Sequence, residues 1–215
     1  SSVIPYLESK SGKADILFIT HTDSDHAAGA MEIINQELTK TVVLSKYADG
    51  KRAKEISKAA KDKGIDVIYA SAGDSFGTDE CRIECLYPMG DTAEDENETS
   101  LVLKFTVGKT EALFTGDIDS DNEDELLKSD IDCDIIKIAH HGSDTSSSEE
   151  FLRRTGADAA VIEADEDNIY GFPSSDVVQR LNRLGFDTYI TGRDGAVVFY
   201  LDQKGSIEDI KTFKE

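Results

Sequence analysis

The run Ile16-Leu17-Phe18-Ile19-Thr20-His21-Thr22-Asp23-Ser24-Asp25-His26 decides how this chain is read. Four apolar residues lead into four groups that can bind a metal: His21, Asp23, Asp25 and His26. Imidazole and carboxylate are the ligands of zinc and of harder divalent ions. In an extended turn, positions 21, 23 and 25 fall on one side. His26 opens the next helix and turns back toward the same point. An Asp-rich turn with Asp25 capping that helix would explain this cluster alone. It does not explain a second one. All four histidines fall in two clusters, and the other is His140-His141, directly after Ile135-Ile136-Lys137-Ile138-Ala139. Between them Phe114-Thr115-Gly116-Asp117 ends a third apolar run on a carboxylate, a candidate bridging ligand. Three strands that deliver such groups at their ends can converge on one point, which makes a metal-dependent enzyme the first hypothesis. Consecutive residues in a strand point opposite ways. One of His140 and His141 is therefore a ligand, and the other lines the pocket, adds a second ligand or donates a proton.

Outward from these runs, apolar stretches of strand length alternate with amphipathic ones. The pattern predicts strands at 14–20, 41–45, 65–70 and 81–87, with helices at 27–38 and 50–63. A hairpin around Gly108-Lys109 joins strands near 101–105 and 111–114. A helix at 121–128 and a strand at 133–139 lead to the double histidine. Ser147, with Glu150 three residues on, fits a capping box for a helix ending near Thr155. A strand at 159–163, a helix from Ser175 to about Gly185 and three closing strands near 186–191, 195–201 and 206–213 complete the chain. Gly73-Asp74-Ser75-Phe76-Gly77 reads as a turn, and the acidic stretch 91–98 as a loop. No repeat or linker divides the sequence, so 1–215 is expected to be one α/β domain with hairpins among its strands.

Composition narrows the function. Forty-four acidic residues against 23 basic ones give a net charge of −21, which leaves no basic surface for a broad grip on nucleic acid. Bound divalent ions would reverse that sign locally. No segment nears the roughly 18 consecutive apolar residues of a membrane span, and no leader is visible. The chain opens on Ser1-Ser2 rather than Met, as expected of a piece of something longer. Cys81, Cys85 and Cys133 make a poor disulfide framework and read as core thiols, Cys81 and Cys85 on one strand face. Ser146-Ser147-Ser148 lacks the glycines of a nucleophile elbow and reads as a cap.

Taken together, these motifs resemble those of the metallo-β-lactamase superfamily, whose signature is His-x-His-x-Asp-His. Here the second histidine is Asp23. That variant resembles the ComEC/competence-protein branch, as do Ile4-Pro5-Tyr6-Leu7, Asn97-Glu98-Thr99-Ser100-Leu101-Val102-Leu103, Phe114-Thr115-Gly116-Asp117 and His140-His141-Gly142-Ser143. The resemblance runs from about residue 3 to 198. It implies an αββα sandwich of two mixed sheets, here without the family's first strands, whose absence would expose a sheet edge to self-association. It implies one or two divalent ions, Zn or Mn, held by His21, Asp23, Asp25, His26, Asp117 and His140 or His141. It also implies hydrolysis by hydroxide generated at the metal, of a phosphodiester or another small anionic substrate. A nucleic acid cleaved outside the membrane is the competence-protein expectation. Asp25 would orient the water, and the second histidine, His141, would protonate the leaving group. The usual third-motif histidine has no counterpart, Asn97 being the nearest polar residue, and the branch's His-Pro-His appears as Phe172-Pro173-Ser174. A first ion on His21, Asp23 and Asp117 is thus expected to be under-liganded. A second, on Asp25, His26, Asp117 and one of His140 and His141, is expected to be complete. The alternatives are a non-catalytic binding or scaffold module with a degenerate site, and a carboxylic or thioester hydrolase.

Overall fold

The computed structural model describes residues 3–10, 12–89, 99–165 and 167–214. The expected loop at 91–98, with Asn97, lies outside the described residues. Chain contacts form two compact units, Ser1–Ala72 with Pro88–Leu101, and Gly73–Tyr87 with Val102–Glu215.

The first unit runs α1 (Val3–Lys10), β1 (Ala14–Ile19), α2 (Ser24–Asn35), β2 (Thr39–Ser45), α3 (Lys51–Asp62) and β3 (Asp66–Ala70). Its three strands pair in the order β1-β2-β3, all parallel. Val42, Val43 and Leu44 of the central strand are fully buried, and Val42 and Leu44 share a core with residues of α2 and α3. α3 turns Ala53, Ile56, Ser57 and Ala60 inward at helical spacing. Ile56 and Ala60 pack with Ile19, Ala27, Ala30, Ile34 and Leu44 into one core, where each large aliphatic side chain contributes about 1.5–3 kcal/mol. β1 stops where its apolar run does, and the Thr20 carbonyl then accepts from the Leu101 N–H at 2.9 Å. β1 is an edge: among the described residues no strand pairs on its other side. α1 buries only Ile4, so apolar periodicity does not announce it.

The second unit holds β4 (Ser75–Gly77), β5 (Cys81–Tyr87), β6 (Val102–Val107), β7 (Thr110–Phe114), α4 (Ser120–Leu126), β8 (Ile135–Lys137), α5 (Glu149–Thr155), β9 (Ala159–Ile162), α6 (Ser175–Leu184), β10 (Asp187–Ile190), α7 (Thr191–Asp194), β11 (Ala196–Leu201) and β12 (Ile207–Phe213). Seven strands form a mixed sheet in the order β10-β9-β8-β7-β6-β5-β4, and β11 pairs with β12 in a separate hairpin. From β10 to β7 neighbours are parallel, and from β7 to β4 antiparallel. The carboxyl ends of β7, β8 and β9 therefore lie side by side, where open α/β sheets place their ligands.

Two local expectations change. The Gly73–Gly77 stretch contains β4, paired with β5 through Phe76 and Ile83, rather than being only a turn. The cap of α5 is Ser148, whose hydroxyl accepts from the Phe151 N–H at 3.3 Å, and not Ser147. Ser147 sits at φ +58, and its N–H donates to the Glu123 carboxylate, so it is committed elsewhere. Cys85 and Cys133 are buried, and burial pushes both thiols up to about 12, which suits packing rather than chemistry.

Candidate metal centre

In the first unit the signature begins where β1 ends. His21 is fully buried and Asp23 half-buried. Asp23, at φ −64 and ψ 157, is the N-cap of α2, and its carbonyl accepts from Ala27 N–H at 2.8 Å. That bond commits Ser24 and Asp25 to helical dihedrals. The expected alternation of 21, 23 and 25 along an extended turn thus ends at Asp23, and Asp25 belongs to the first helical turn. The side chain of Asp25 is not among the described groups. Asp23 makes no side-chain capping bond, so the ordinary task of an aspartate there is unfilled. The rings of His21 and His26 stand 4.1 Å apart, tilted by 45°. Thr20 Oγ1 lies 3.2 Å from His21 Nδ1 and 3.5 Å from His26 Nδ1. A hydroxyl oxygen can accept an N–H from each ring, and that tautomer presents Nε2 as the ligand atom of both. Arg52 steadies the turn by donating to the Thr22 carbonyl at 2.6 Å.

In the second unit three adjacent strand ends carry the other motif residues and their partners. Asp117 follows β7, His140 and His141 follow β8, and Glu163 follows β9. His141 Nδ1 is 2.6 Å from the Glu163 carbonyl oxygen, which can only accept, so Nδ1 carries the proton. His141 Nε2 then faces Asp117 Oδ2 at 3.4 Å. Two ligand atoms each about 2.1 Å from one ion at a tetrahedral angle stand about 3.4 Å apart, so this pair fits a divalent ion. A ligating imidazole commonly donates its other N–H to a backbone carbonyl, as here. The Asp117 carboxylate raises the His141 pKa, with burial opposing it. Asp117 is 3% exposed, and the local capping task is taken by Asp119, whose carboxylate accepts from the Asp121 and Asn122 N–H groups.

His140 and His141 are not in a strand. They form a short 3₁₀ turn over Ala139–Gly142 with left-handed backbones, φ 49 and ψ 46 for His140, φ 52 and ψ 20 for His141. Two consecutive non-glycine residues there carry strain, which the surroundings must hold. The two side chains therefore differ by environment and not by strand alternation. His140 meets the Phe172 ring edge-on at 5.7 Å, and its Nδ1 has no hydrogen-bond partner among the described residues. Gly142 closes the turn at φ +80, where an added Cβ would stand 2.7 Å from Pro173 Cβ. Phe172-Pro173-Ser174 thus lies against the double histidine, and Phe172 brings no ligand atom to it.

Several contributors escape motif reading. Lys137 is buried, with Nζ 3.0 Å from the Gly116 carbonyl and 3.4 Å from Asp117 Oδ1. Its signal was a charge inside an apolar run, Ile135-Ile136-Lys137-Ile138. Glu163 acts through its backbone, so no residue type marks it. Glu123 is buried and accepts from the Ser147 and Ser148 N–H groups, bracing the segment after the histidines.

The model of the metallo-beta-lactamase superfamily matches residues 5–162. ComE operon protein 3 of Bacillus subtilis is 28% identical over 201 residues, 92% of this chain and 26% of that protein. Competence protein ComA of Neisseria gonorrhoeae is 27% identical over 196 residues, 90% of this chain and 26% of that protein. The chain thus spans about a quarter of the length of these curated relatives. The metallo-beta-lactamase fold protein YhfI from Bacillus subtilis superposes with a TM-score of 0.59 at 13% identity, over 88% of this chain and 80% of that structure. At that identity the likeness speaks to fold alone, and the fold is the one the motifs lead one to expect. With a family model covering most of the chain, and the motif groups at the strand ends where the fold places its chemistry, the chain belongs to the metallo-beta-lactamase superfamily, in the branch that holds the competence proteins.

Proposed function

We propose that this chain is a metal-dependent phosphodiester hydrolase, with His21, Asp23, Asp25, His26, Asp117 and His141 as its candidate metal ligands. The observation that carries the proposal is the Glu163–His141–Asp117 arrangement, with Nδ1 donating to a carbonyl and Nε2 3.4 Å from a carboxylate oxygen. A buried carboxylate facing an imidazole fixed by a backbone carbonyl is the arrangement expected where a side chain ligates a metal. The paired rings of His21 and His26 support it from the other motif. A divalent ion, Zn or Mn, would supply Lewis acidity there, activating water and stabilising the charge that develops on the cleaved group. Asp23 makes the donor set richer in oxygen than the usual signature, which favours manganese relative to an all-histidine set. Asp25 is assigned the orientation of the attacking water. Because His141 is engaged on both ring nitrogens, the proton for the leaving group is assigned to His140, in place of the role first expected of His141. The acidic surface favours a short or locally bound anion over a long polyanion tracked along the protein.

The test is metal content together with turnover of bis(p-nitrophenyl) phosphate. Wild type is expected to retain Zn or Mn and to hydrolyse the ester. His26→Ala and Asp117→Asn should lose more than the roughly 10–100-fold typical of an outer-sphere change. Wild-type protein that binds metal but turns over no phosphodiester would favour the binding-module alternative, for which Phe172-Pro173-Ser174 in place of His-Pro-His is the supporting feature. Turnover of thioesters alone would move the assignment to that hydrolase class.

A further inference from the structure

Lys137 is the unusual residue of β8. A lysine ammonium is seldom taken out of water, yet Lys137 is only 7% exposed. Its backbone is fixed by Thr115, whose hydroxyl donates to the Lys137 carbonyl at 2.7 Å. Its Nζ donates to the Gly116 carbonyl at 3.0 Å and stands 3.4 Å from Asp117 Oδ1. The other oxygen, Oδ2, is the one facing His141 Nε2. The carboxylate is therefore divided, one oxygen toward the imidazole and the other toward a buried ammonium. A carboxylate that bridges two ions through both of its oxygens gives one to each. Here a fixed positive charge already stands beside one of them, and repulsion between cations at such distances is strong where water is excluded.

We infer that Lys137 is a positioning residue that makes Asp117 a one-ion ligand. With Lys137 beside Oδ1, Oδ2 would be the oxygen left to hold an ion together with His141, and a second ion on Oδ1 would be held more weakly. The inference rests on the metal centre proposed above. It adds that the inequality between the two ion positions comes from a lysine and not only from missing ligands.

Calorimetric titration of the metal-stripped protein with Zn, and separately with Mn, tests it. Wild type is expected to show one tight event and a second at least about tenfold weaker, the scale on which outer partners tune metal affinity. Lys137→Met removes the charge and keeps the volume, and should tighten the weak event about tenfold while leaving the tight one within about threefold. Lys137→Arg should keep the wild-type gap. Lys137→Gln, which retains a donor for the Gly116 carbonyl, serves if Lys137→Met does not fold, as judged by its thermal melt. Two equally tight events in wild type would overturn the inference while leaving the metal centre standing. So would an unchanged gap in the neutral variants, or loss of both events in a folded one. Wild type that binds neither ion would remove the metal centre and this inference together.

Discussion

The two neighbouring histidines are the sharpest question at the level of single side chains. Motif reading places one as ligand and one as helper but cannot rank them, because it assumes a strand with alternating sides. The left-handed dihedrals of both residues remove that assumption. The Glu163 carbonyl accepts the Nδ1–H of His141, which leaves Nε2 facing Asp117 and supports His141 as the proposed ligand. His141→Ala is therefore expected to lose the tight ion, with metal content of the purified protein falling well below that of wild type. His140→Ala should keep its metal and lose turnover by about 10²–10⁴-fold, the usual worth of a proton donor. The reverse pattern, metal lost with His140 and kept with His141, would exchange the two roles. The same environment favours Asp117 over Asp119 as the proposed ligand. Asp119 is spent on the capping box of α4, a role its spacing to Asn122 makes recognisable once the helix start is known.

Among the elements, the segment from Ala139 to Ser148 matters most. It carries strained histidines and then returns to α5, and several bonds keep it in place. Glu123 on α4 receives the Ser147 and Ser148 N–H groups. Arg180 on α6 donates to the Ser146 and Ser147 carbonyls, and Ser146 Oγ donates to the Ala139 carbonyl at 3.1 Å. Burial raises the Glu123 pKa while these donors and Arg180 pull it down, so the carboxylate is held by its partners against the cost of desolvation. Glu123→Ala strands two N–H groups and should destabilise the protein by about 2–3 kcal/mol. Faster amide exchange at Ser147 and Ser148, before the global unfolding of β7 and β8, is the specific sign. An unaltered exchange pattern would mean that the turn holds itself. The capping box assigned to Ser147 fails for the same reason: a neighbouring helix claims that residue's N–H, and local pattern does not contain the neighbour.

For the molecule as a whole, charge is the dominant property. A net −21 should repel a nucleic acid except at the ions themselves. For a single-stranded oligonucleotide in the presence of Mn, raising salt from about 50 to about 200 mM is expected to leave affinity unchanged or improve it. Fluorescence anisotropy checks this. A steep loss of affinity with salt would reveal a basic track that the composition does not lead one to expect. No helix among the described residues is long and apolar enough to cross a membrane. The relatives are about four times the length of this chain, so whatever the longer proteins do as a whole remains a proposal for it.

Much of the fold was legible in the sequence because its evidence is local. Period-two and period-3.6 patterns mark β1, α2, β2, α3 and the hairpin of β6 and β7, and the chemistry-bearing residues stand at the ends of those patterns. The candidate ligand types and their motifs are read from that, and the superfamily from the resemblance those motifs carry. What the pattern could not contain is adjacency. Which strands lie side by side is set by pairings far apart in sequence, and the order β9-β8-β7 is what brings Glu163, His141 and Asp117 into one row. Lys137 is the clearest case. As a letter it is a misplaced charge in an apolar run, and only the pairing of β8 with β7 shows that its ammonium has a carboxylate to meet.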